Sequence, residues 1–264
     1  MEQNTPKSLL SVIIPTNNLG RYFENILKIL EESKKYAIEL ILVIDQAISG
    51  EILERVGVLQ ALRIPNLKIV YSSAESPGGA RNLGLRFADA EWIAFWDSDD
   101  LPEVESFYKM VFLADQNESM NFAIGSFRSV GSFSTGSTLF QIDRKSFDYS
   151  MGRNPGLWRI AFRKNSLRGF EFQKVKLAED QLFLAEIGLS PLETFFYHKV
   201  VYSYKSGNQN SLTTSMSSYL DLYSVSNYLY WLKKAGRTGA YARLMSGRIF
   251  LTYLKQSLIH RDFA

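Results

Sequence analysis

Three carboxylates in four residues, Asp97-Ser98-Asp99-Asp100, close the apolar run Trp92-Ile93-Ala94-Phe95-Trp96. Such a run is expected to be a strand buried on both faces, so its end is a costly place for charge. Two carboxylates about 5 Å apart repel by roughly 1–3 kcal/mol at an effective dielectric of about 20–40, and a cation between them removes that cost. Oxygen-only ligands suit Mg²⁺ or Mn²⁺. A plainer account makes Asp99 or Asp100 the N-cap of a following helix, with Pro102 in its first turn and Glu103 favoured by the helix dipole. That account uses one Asp and leaves the others without a role at the carboxyl end of a strand, where open α/β sheets place their ligands.

Other residues have types suited to the same chemistry. Glu179-Asp180 stand before the apolar Leu182-Phe183-Leu184; they are either an acidic helix start or a carboxylate placed to take a proton. The stretch Ser76-Pro77-Gly78-Gly79-Ala80-Arg81-Asn82-Leu83-Gly84 precedes a helical pattern but fits neither the dinucleotide fingerprint nor the P-loop. Arg81 in a first helical turn is badly placed against the dipole unless it faces an anion, and a guanidinium suits a nucleotide or phosphate oxygen there. Trp158 and Arg159 follow Gly156-Leu157, and Lys205 ends the segment Tyr202-Ser203-Tyr204. Lys205 or His198 could meet a diphosphate or metal; a solvated lysine and a structural histidine are the plain alternatives.

These residues need a scaffold. Strand-like runs at 9–14, 40–44, 67–71 and 92–96 alternate with helical stripes at 22–32 (Phe23, Ile26, Leu27, Leu30), 51–62 (Ile52, Val56, Leu59) and 80–88 (Leu83, Phe87). Three successive β-α-β units predict a mainly parallel sheet with right-handed crossovers. Beyond residue 100 the rhythm changes. A helix is expected near 103–117, strands at 122–130, 138–142 and 194–204, a Ser/Gly-rich hairpin turn at 131–136 and a helix at 180–188. From 219 onward the pattern is helical, broken near Ala235-Gly236-Arg237-Thr238-Gly239.

The chain has 264 residues, 46% of them apolar, no cysteine, two histidines and a net charge of +3. Disulfides, thiolate nucleophiles, thiolate metal sites and histidine-rich metal sites are thereby excluded, and an intracellular setting is natural. The first residues lack a basic segment followed by an apolar core, and no stretch reaches about 18 uninterrupted apolar residues, so neither secretion by a signal peptide nor a membrane span is expected. Residues 219–264 carry seven Lys or Arg against two Asp, a local excess that points to an anionic surface.

Taken in order, Ile13-Ile14-Pro15-Thr16-Asn17-Asn18, a strand ending at Asp45, Gly79-Ala80-Arg81-Asn82-Leu83-Gly84-Leu85, Phe95-Trp96-Asp97-Ser98-Asp99-Asp100 and Leu177-Ala178-Glu179-Asp180 resemble glycosyltransferase family 2, with matching gaps over roughly residues 8–213. The resemblance implies an α/β GT-A fold. Residues 1–215 would form the transferase domain, with a nucleotide-binding half at about 8–100 and an acceptor half at about 101–215; residues 216–264 would be a helical extension. It implies an inverting, metal-dependent enzyme that moves a sugar from a nucleoside diphosphate sugar, UDP-linked by preference, to a saccharide or lipid-linked saccharide of the cell envelope or capsule. Nucleic acid is not an implied partner.

Carried over by position, Pro15, Thr16 and Asn18 would line the nucleotide pocket, Asp45 and Gln46 would contact the base and Arg81 would approach the uridine or its phosphates. Asp99 would bind Mn²⁺ or Mg²⁺ directly, Asp97 and Ser98 would assist, and Asp100 would cap the next helix. Asp180 would be the catalytic base, with Glu179 beside it, and Trp158 and Arg159 would face the acceptor. Two departures stand out: Asp45-Gln46-Ala47-Ile48 replaces the usual Asp-Asp-Gly-Ser, and Asn17 stands where an aromatic is usual. A Gln amide can still accept from uracil N3 and donate to O4.

Two other classes use similar parts. A nucleotidyltransferase making sugar nucleotides would carry a basic, Gly-rich loop after its first strand, and Pro15-Thr16-Asn17-Asn18 is not one. A non-catalytic sugar-nucleotide-binding module would have no need of intact Asp97-Ser98-Asp99 and Glu179-Asp180. The tail has its own alternatives. Tyr241, Leu244, Met245, Ile249, Leu251, Leu254, Leu258 and Ile259, interspersed with Arg243, Arg248, Lys255 and Arg261, suit peripheral docking on the inner face of a membrane, packing on the catalytic domain, or a homodimer contact.

Overall fold

The computed structural model describes residues 8–74, 76–131, 137–175, 177–206 and 219–261. Strands β1 (Leu10–Thr16), β2 (Ile38–Ile44), β3 (Leu67–Tyr71) and β4 (Trp92–Phe95) are parallel and lie in the order β3-β2-β1-β4. Helices α1 (Leu19–Ser33), α2 (Gly50–Ala61) and α3 (Pro77–Leu85) make the crossovers. Every residue of β2 is buried, as a central strand covered on both faces requires. The chain builds outward from β1 to β3 and then returns to place β4 on the other side of β1. Strand order therefore reverses at β1, which opens a crevice beyond the carboxyl ends of β1 and β4.

The second half extends the same sheet with mixed direction. A two-residue strand β5 (Leu101–Pro102) and helix α4 (Val104–Asp115) lead into β6 (Phe122–Gly131) and β7 (Ser137–Phe140). After helix α5 (Phe147–Arg153), strand β8 (Ile160–Arg163) inserts between β4 and β6, antiparallel to both. Helix α6 (Glu179–Ile187) precedes β9 (Thr194–Ser206), which runs parallel to β6 and antiparallel to β5 at the sheet edge. Helices α7 (Tyr219–Lys234) and α8 (Tyr241–Arg261) complete the described chain. They break where the Ala-Gly-Arg-Thr-Gly segment predicts.

Two sequence expectations, the helix cap at 97–102 and the stripe position of Phe87, are corrected. Pro102 lies in edge strand β5, where its missing N–H costs nothing, and α4 starts at Val104 with Glu103 as an N-cap that makes no side-chain cap bond. The carboxylates at 97–100 therefore do not cap the helix. Phe87 falls beyond the end of α3 and is exposed; the helix reaches the sheet through Ala80 and Gly84 instead. Elements α5 and β8 had no expectation, being seven and four residues long, too short for a periodic signal. Of the predicted hairpin turn at 131–136, residues 132–136 lie outside the described residues; β6 and β7 pair antiparallel on either side.

The sheet is packed on both faces. Leu10, Val12 and Ile14 meet α1, α2 and α4 on one side. On the other, Ile13, Val43, Ile93 and Phe95 share a core with α3, α6 and residues of α7 and α8, among them Val225, Leu229, Tyr241 and Met245. Among the described residues, no helix is long and apolar enough to cross a membrane.

Candidate active site

Buried strand β4 delivers Asp97 to the crevice, and the turn that follows is held from three sides. The Asp97 backbone N–H donates to the Tyr202 hydroxyl at 3.0 Å. The Asn25 amide of α1 donates to the carbonyls of Ser98 and Asp100 at 2.8 and 2.6 Å. The Asp100 carboxylate accepts the backbone N–H of Lys205 at 2.8 Å. Asp97 and Asp99 are half-buried; Ser98 and Asp100 are buried. Asp100 thus ties the turn to β9, in place of the helix-capping role assigned from sequence.

The far side of the crevice is α6, whose first two residues are Glu179 and Asp180. Ala178, just before them, adopts the left-handed conformation with φ of 62°, a local strain for a residue with a Cβ. Arg81 of α3 joins the two sides. Its Nη1 donates to Glu179 Oε1 at 2.8 Å and its Nη2 to Asp97 Oδ1 at 2.9 Å, while its plane lies over the Phe172 ring at 5.5 Å. Gly78 permits this approach, because a Cβ there would lie 3.0 Å from Phe172 Cβ and 3.3 Å from Glu179 Cγ. The anionic partner demanded by the helix dipole is therefore a pair of protein carboxylates.

The electrostatics are those of crowded acids around one cation. Burial would depress the Arg81 guanidinium, but the charges of Asp97, Glu179 and Asp180 outweigh it and raise its pKa. Burial, then the negative charge of Glu179, pushes Asp180 up to about 7 against the opposing pull of Arg81. Burial, then Asp97, pushes Asp100 up to about 8. Its second carboxylate oxygen is buried without a hydrogen-bond partner. Among the described residues the clustered acids outnumber the nearby cations Arg81 and Lys205, and a divalent ion fits that balance. Among the described residues no three His, Cys, Asp or Glu side chains form a ready chelate; Mg²⁺ and Mn²⁺ can be held by one or two carboxylates together with substrate phosphates.

An aromatic wall borders the acids. Trp158 is half-buried and stacks on Tyr202 at 4.5 Å and on Tyr204 at 5.5 Å. Burial and the charges of Asp100, Asp97, Asp99 and Asp180 raise the Tyr204 phenol, which places that ring beside the cluster. Trp158 therefore lies in the wall beside the acids, and Arg159 does not. Arg159 is buried beneath the wall over the Phe127 ring at 4.9 Å and donates to the Asn154 carbonyl at 2.6 Å. With no carboxylate beside it, burial lowers its pKa to about 9. It is a core residue.

The remaining candidates lie at the ends of β1 and β2. Thr16 is buried, Pro15 half-buried, and Asn18 is exposed and caps α1 by accepting the Arg21 N–H at 2.9 Å. Asp45 accepts the backbone N–H groups of Ala74 and Ser76 at 2.9 and 3.1 Å, and so shapes the loop before α3. Gln46 Oε1 accepts the Leu19 N–H at 2.6 Å and so helps to start α1. Lys205 Nζ donates to Asn25 Oδ1 at 3.3 Å beside the acids, whereas His198 is exposed near Asp143 on another part of the surface. Sequence reasoning missed Asn25, which carried no signal on a polar helix face. It also missed the separate roles of Tyr202 and Tyr204, whose two-residue spacing on a strand was the available clue.

Comparison with known proteins gives one answer. The glycosyl transferase family 2 model matches residues 11–176. The glycosyltransferase GlyG of Streptococcus pneumoniae is 28% identical over 190 residues, 66% of this chain and 58% of that protein, so the chain spans less than two thirds of that relative. The poly(ribitol-phosphate) beta-N-acetylglucosaminyltransferase TarP of Staphylococcus aureus is 29% identical over 225 residues, 78% and 67% of the two chains. Among solved structures, S. aureus TarS 1–349 in complex with UDP-GlcNAc superposes with a TM-score of 0.63 at 20% identity, covering 83% of this chain and 66% of that one. The mannosyltransferase PcManGT of Pyrobaculum calidifontis, in complex with GDP-Man and Mn²⁺, gives 0.58 at 17%, covering 98% and 77%. The fold is GT-A, and with more than half its length matched by the family model, the chain belongs to glycosyl transferase family 2.

Proposed function

We propose that this enzyme transfers a sugar, with inversion, from a nucleoside diphosphate sugar to a hydroxyl of a saccharide or lipid-linked saccharide of the cell envelope. The observation that carries the proposal is the Arg81 bridge, which sets Asp97 and Glu179 against one guanidinium and so brings the strand-end acids and the Glu179-Asp180 pair to one cleft. A UDP-linked donor is supported by the UDP-GlcNAc in the TarS complex; the GDP-Man in PcManGT makes the base part of the test.

Asp180 takes the proton of the acceptor hydroxyl while that oxygen forms a bond to the anomeric carbon and the bond to the diphosphate breaks. A carboxylate whose pKa is near 7 is well matched to that task at neutral pH. Arg81 and Glu179 hold the start of α6 against the strand end. Asp99, with Asp97, would hold Mn²⁺ or Mg²⁺, which when bound offsets the charge of the departing diphosphate. Trp158 and Tyr204 offer ring faces to the acceptor sugar.

Release of nucleoside diphosphate from a panel of UDP-, GDP- and TDP-sugars with Mn²⁺ tests the reading. Release from one donor class, stimulated by an added saccharide acceptor, supports transfer. Release of pyrophosphate from a sugar phosphate and a nucleoside triphosphate would instead make the enzyme a nucleotidyltransferase, and binding without turnover would make it a binding module.

A further inference from the structure

Helix α8 is apolar on two opposed sides. Inward, Tyr241, Ala242, Met245 and Ile249 are buried in the core. Outward, Leu244, Leu251, Leu254 and Leu258 are 45, 66, 39 and 63% exposed, and their spacing puts them on one stripe. Toward α7 the stripe continues through Phe250 and Tyr253 to Tyr223, whose ring lies 5.4 Å from that of Tyr253. Toward α5 it reaches Gly152, against which Leu244 packs so closely that a Cβ on the glycine would lie 2.4 Å from the leucine Cβ. Four exposed leucines on one helix face are a contiguous patch of the kind that marks an interaction site.

We propose that this face docks the protein on the surface of an anionic lipid bilayer. Charge selects this occupant. Residues 219–258 carry six Lys or Arg and a single acid, Asp221, and the exposed Arg243 and Lys255 flank the stripe on its two sides. A second copy of this face would bring the same excess of Lys and Arg and so supplies no counter-charge. An anionic headgroup layer meets both flanks with opposite charge, while the leucines and the phenol rings enter the boundary between headgroups and acyl chains. The docked helix is also keyed to the site. Arg248 of α8 donates to the side chain of Gln181, the neighbour of Asp180, and to the Gly152 carbonyl, so docking brings the bilayer to the helix that touches the start of α6.

Co-sedimentation of the full chain with vesicles of phosphatidylcholine, with and without phosphatidylglycerol, tests this, at low and high salt. Binding is expected only to the anionic vesicles and is lost at high salt. It should fall about five-fold for each of Arg243→Gln and Lys255→Gln, the factor for about 1 kcal/mol per basic residue at a membrane surface, and vanish in Leu251→Glu/Leu258→Glu. All these side chains are exposed, so an unchanged thermal midpoint and unchanged UDP binding are required of each variant. Donor binding reads the catalytic site and sedimentation reads the face, so the two readings fail separately. Equal binding to neutral vesicles overturns the charge argument. Absence of binding to either vesicle overturns the proposal; if accompanied by a dimer in ultracentrifugation that Leu251→Glu abolishes, it assigns the face to a second copy.

Discussion

At the scale of single residues, the site is a balance between one buried guanidinium and several carboxylates. Removing Arg81 leaves Asp97 and Glu179 without their counter-charge in a largely buried setting, and breaking such a pair from one side costs about 3–5 kcal/mol. Arg81→Met is expected to lower the urea midpoint accordingly. Arg81→Lys should recover only part of it, because an ammonium cannot span both carboxylates as the fork does; full recovery in Lys would reduce Arg81 to a point charge. For Asp180 the sign is opposite to that of a salt-bridged acid. Its pKa near 7 means that it is protonated, and useless as a base, in mildly acidic solution. The initial rate at saturating donor should climb through pH 7 and level off above it. Asp180→Asn should lower turnover by roughly 10² to 10⁴ with UDP affinity retained, and near-normal turnover would move the base to Glu179.

At the scale of elements, the close approach of α3 to the sheet places Arg81. Gly84 sets that distance, since a Cβ there would lie 2.5 Å from Ile13 Cγ2, and both strand and helix are backbone-pinned. Gly84→Ala is expected to destabilise by about 1–3 kcal/mol through overpacking, read as a lower urea midpoint with an unchanged slope; a neutral result would show that α3 can lift without loss. Much of this layer was legible in the sequence. Parallel strands read as short, largely apolar runs, buried at β2 and half-buried at edge strand β3, so β1 to β4 and their crossovers appeared in order, and the break between α7 and α8 was written in two glycines. What was not legible depended on partners far along the chain. Arg159 carries the same formal charge as Arg81, and only the neighbours of each make one a core residue and the other a bridge. Asp100 looked like a cap because the competing donor, the Lys205 N–H, lies 105 residues away. The fold class followed from local pattern, whereas the role of each charged residue required the long-range contacts.

At the scale of the whole molecule, the crowded acids make stability depend on pH and on ligands together. Asp100 and Asp180 have pKa values of about 8 and about 7 in the folded protein, against 3.8 for an ordinary aspartate. Between roughly pH 4 and 8 the folded state therefore binds more protons than the unfolded state, and stability must fall as pH rises. Their contribution is fully present below about pH 4 and is lost as each group ionises near 7 and 8. The thermal midpoint of the ligand-free enzyme should drop from pH 5 to pH 8, by about 2–4 °C for each kcal/mol lost in a chain of this size, and Asp100→Asn should flatten the profile. Mn²⁺, added with UDP, places its charge next to the acids and displaces protons from them, so the stabilisation should be larger at pH 8 than at pH 5. The same addition should have little pH-dependent effect in Asp99→Ala, where the proposed direct ligand is gone. Scanning calorimetry at the two pH values, with and without Mn²⁺ and UDP, measures all of these. A midpoint that rises from pH 5 to 8, or an equal ligand shift at both, would mean that the acids are already neutralised within the protein and would remove the physical case for a cation at the end of β4.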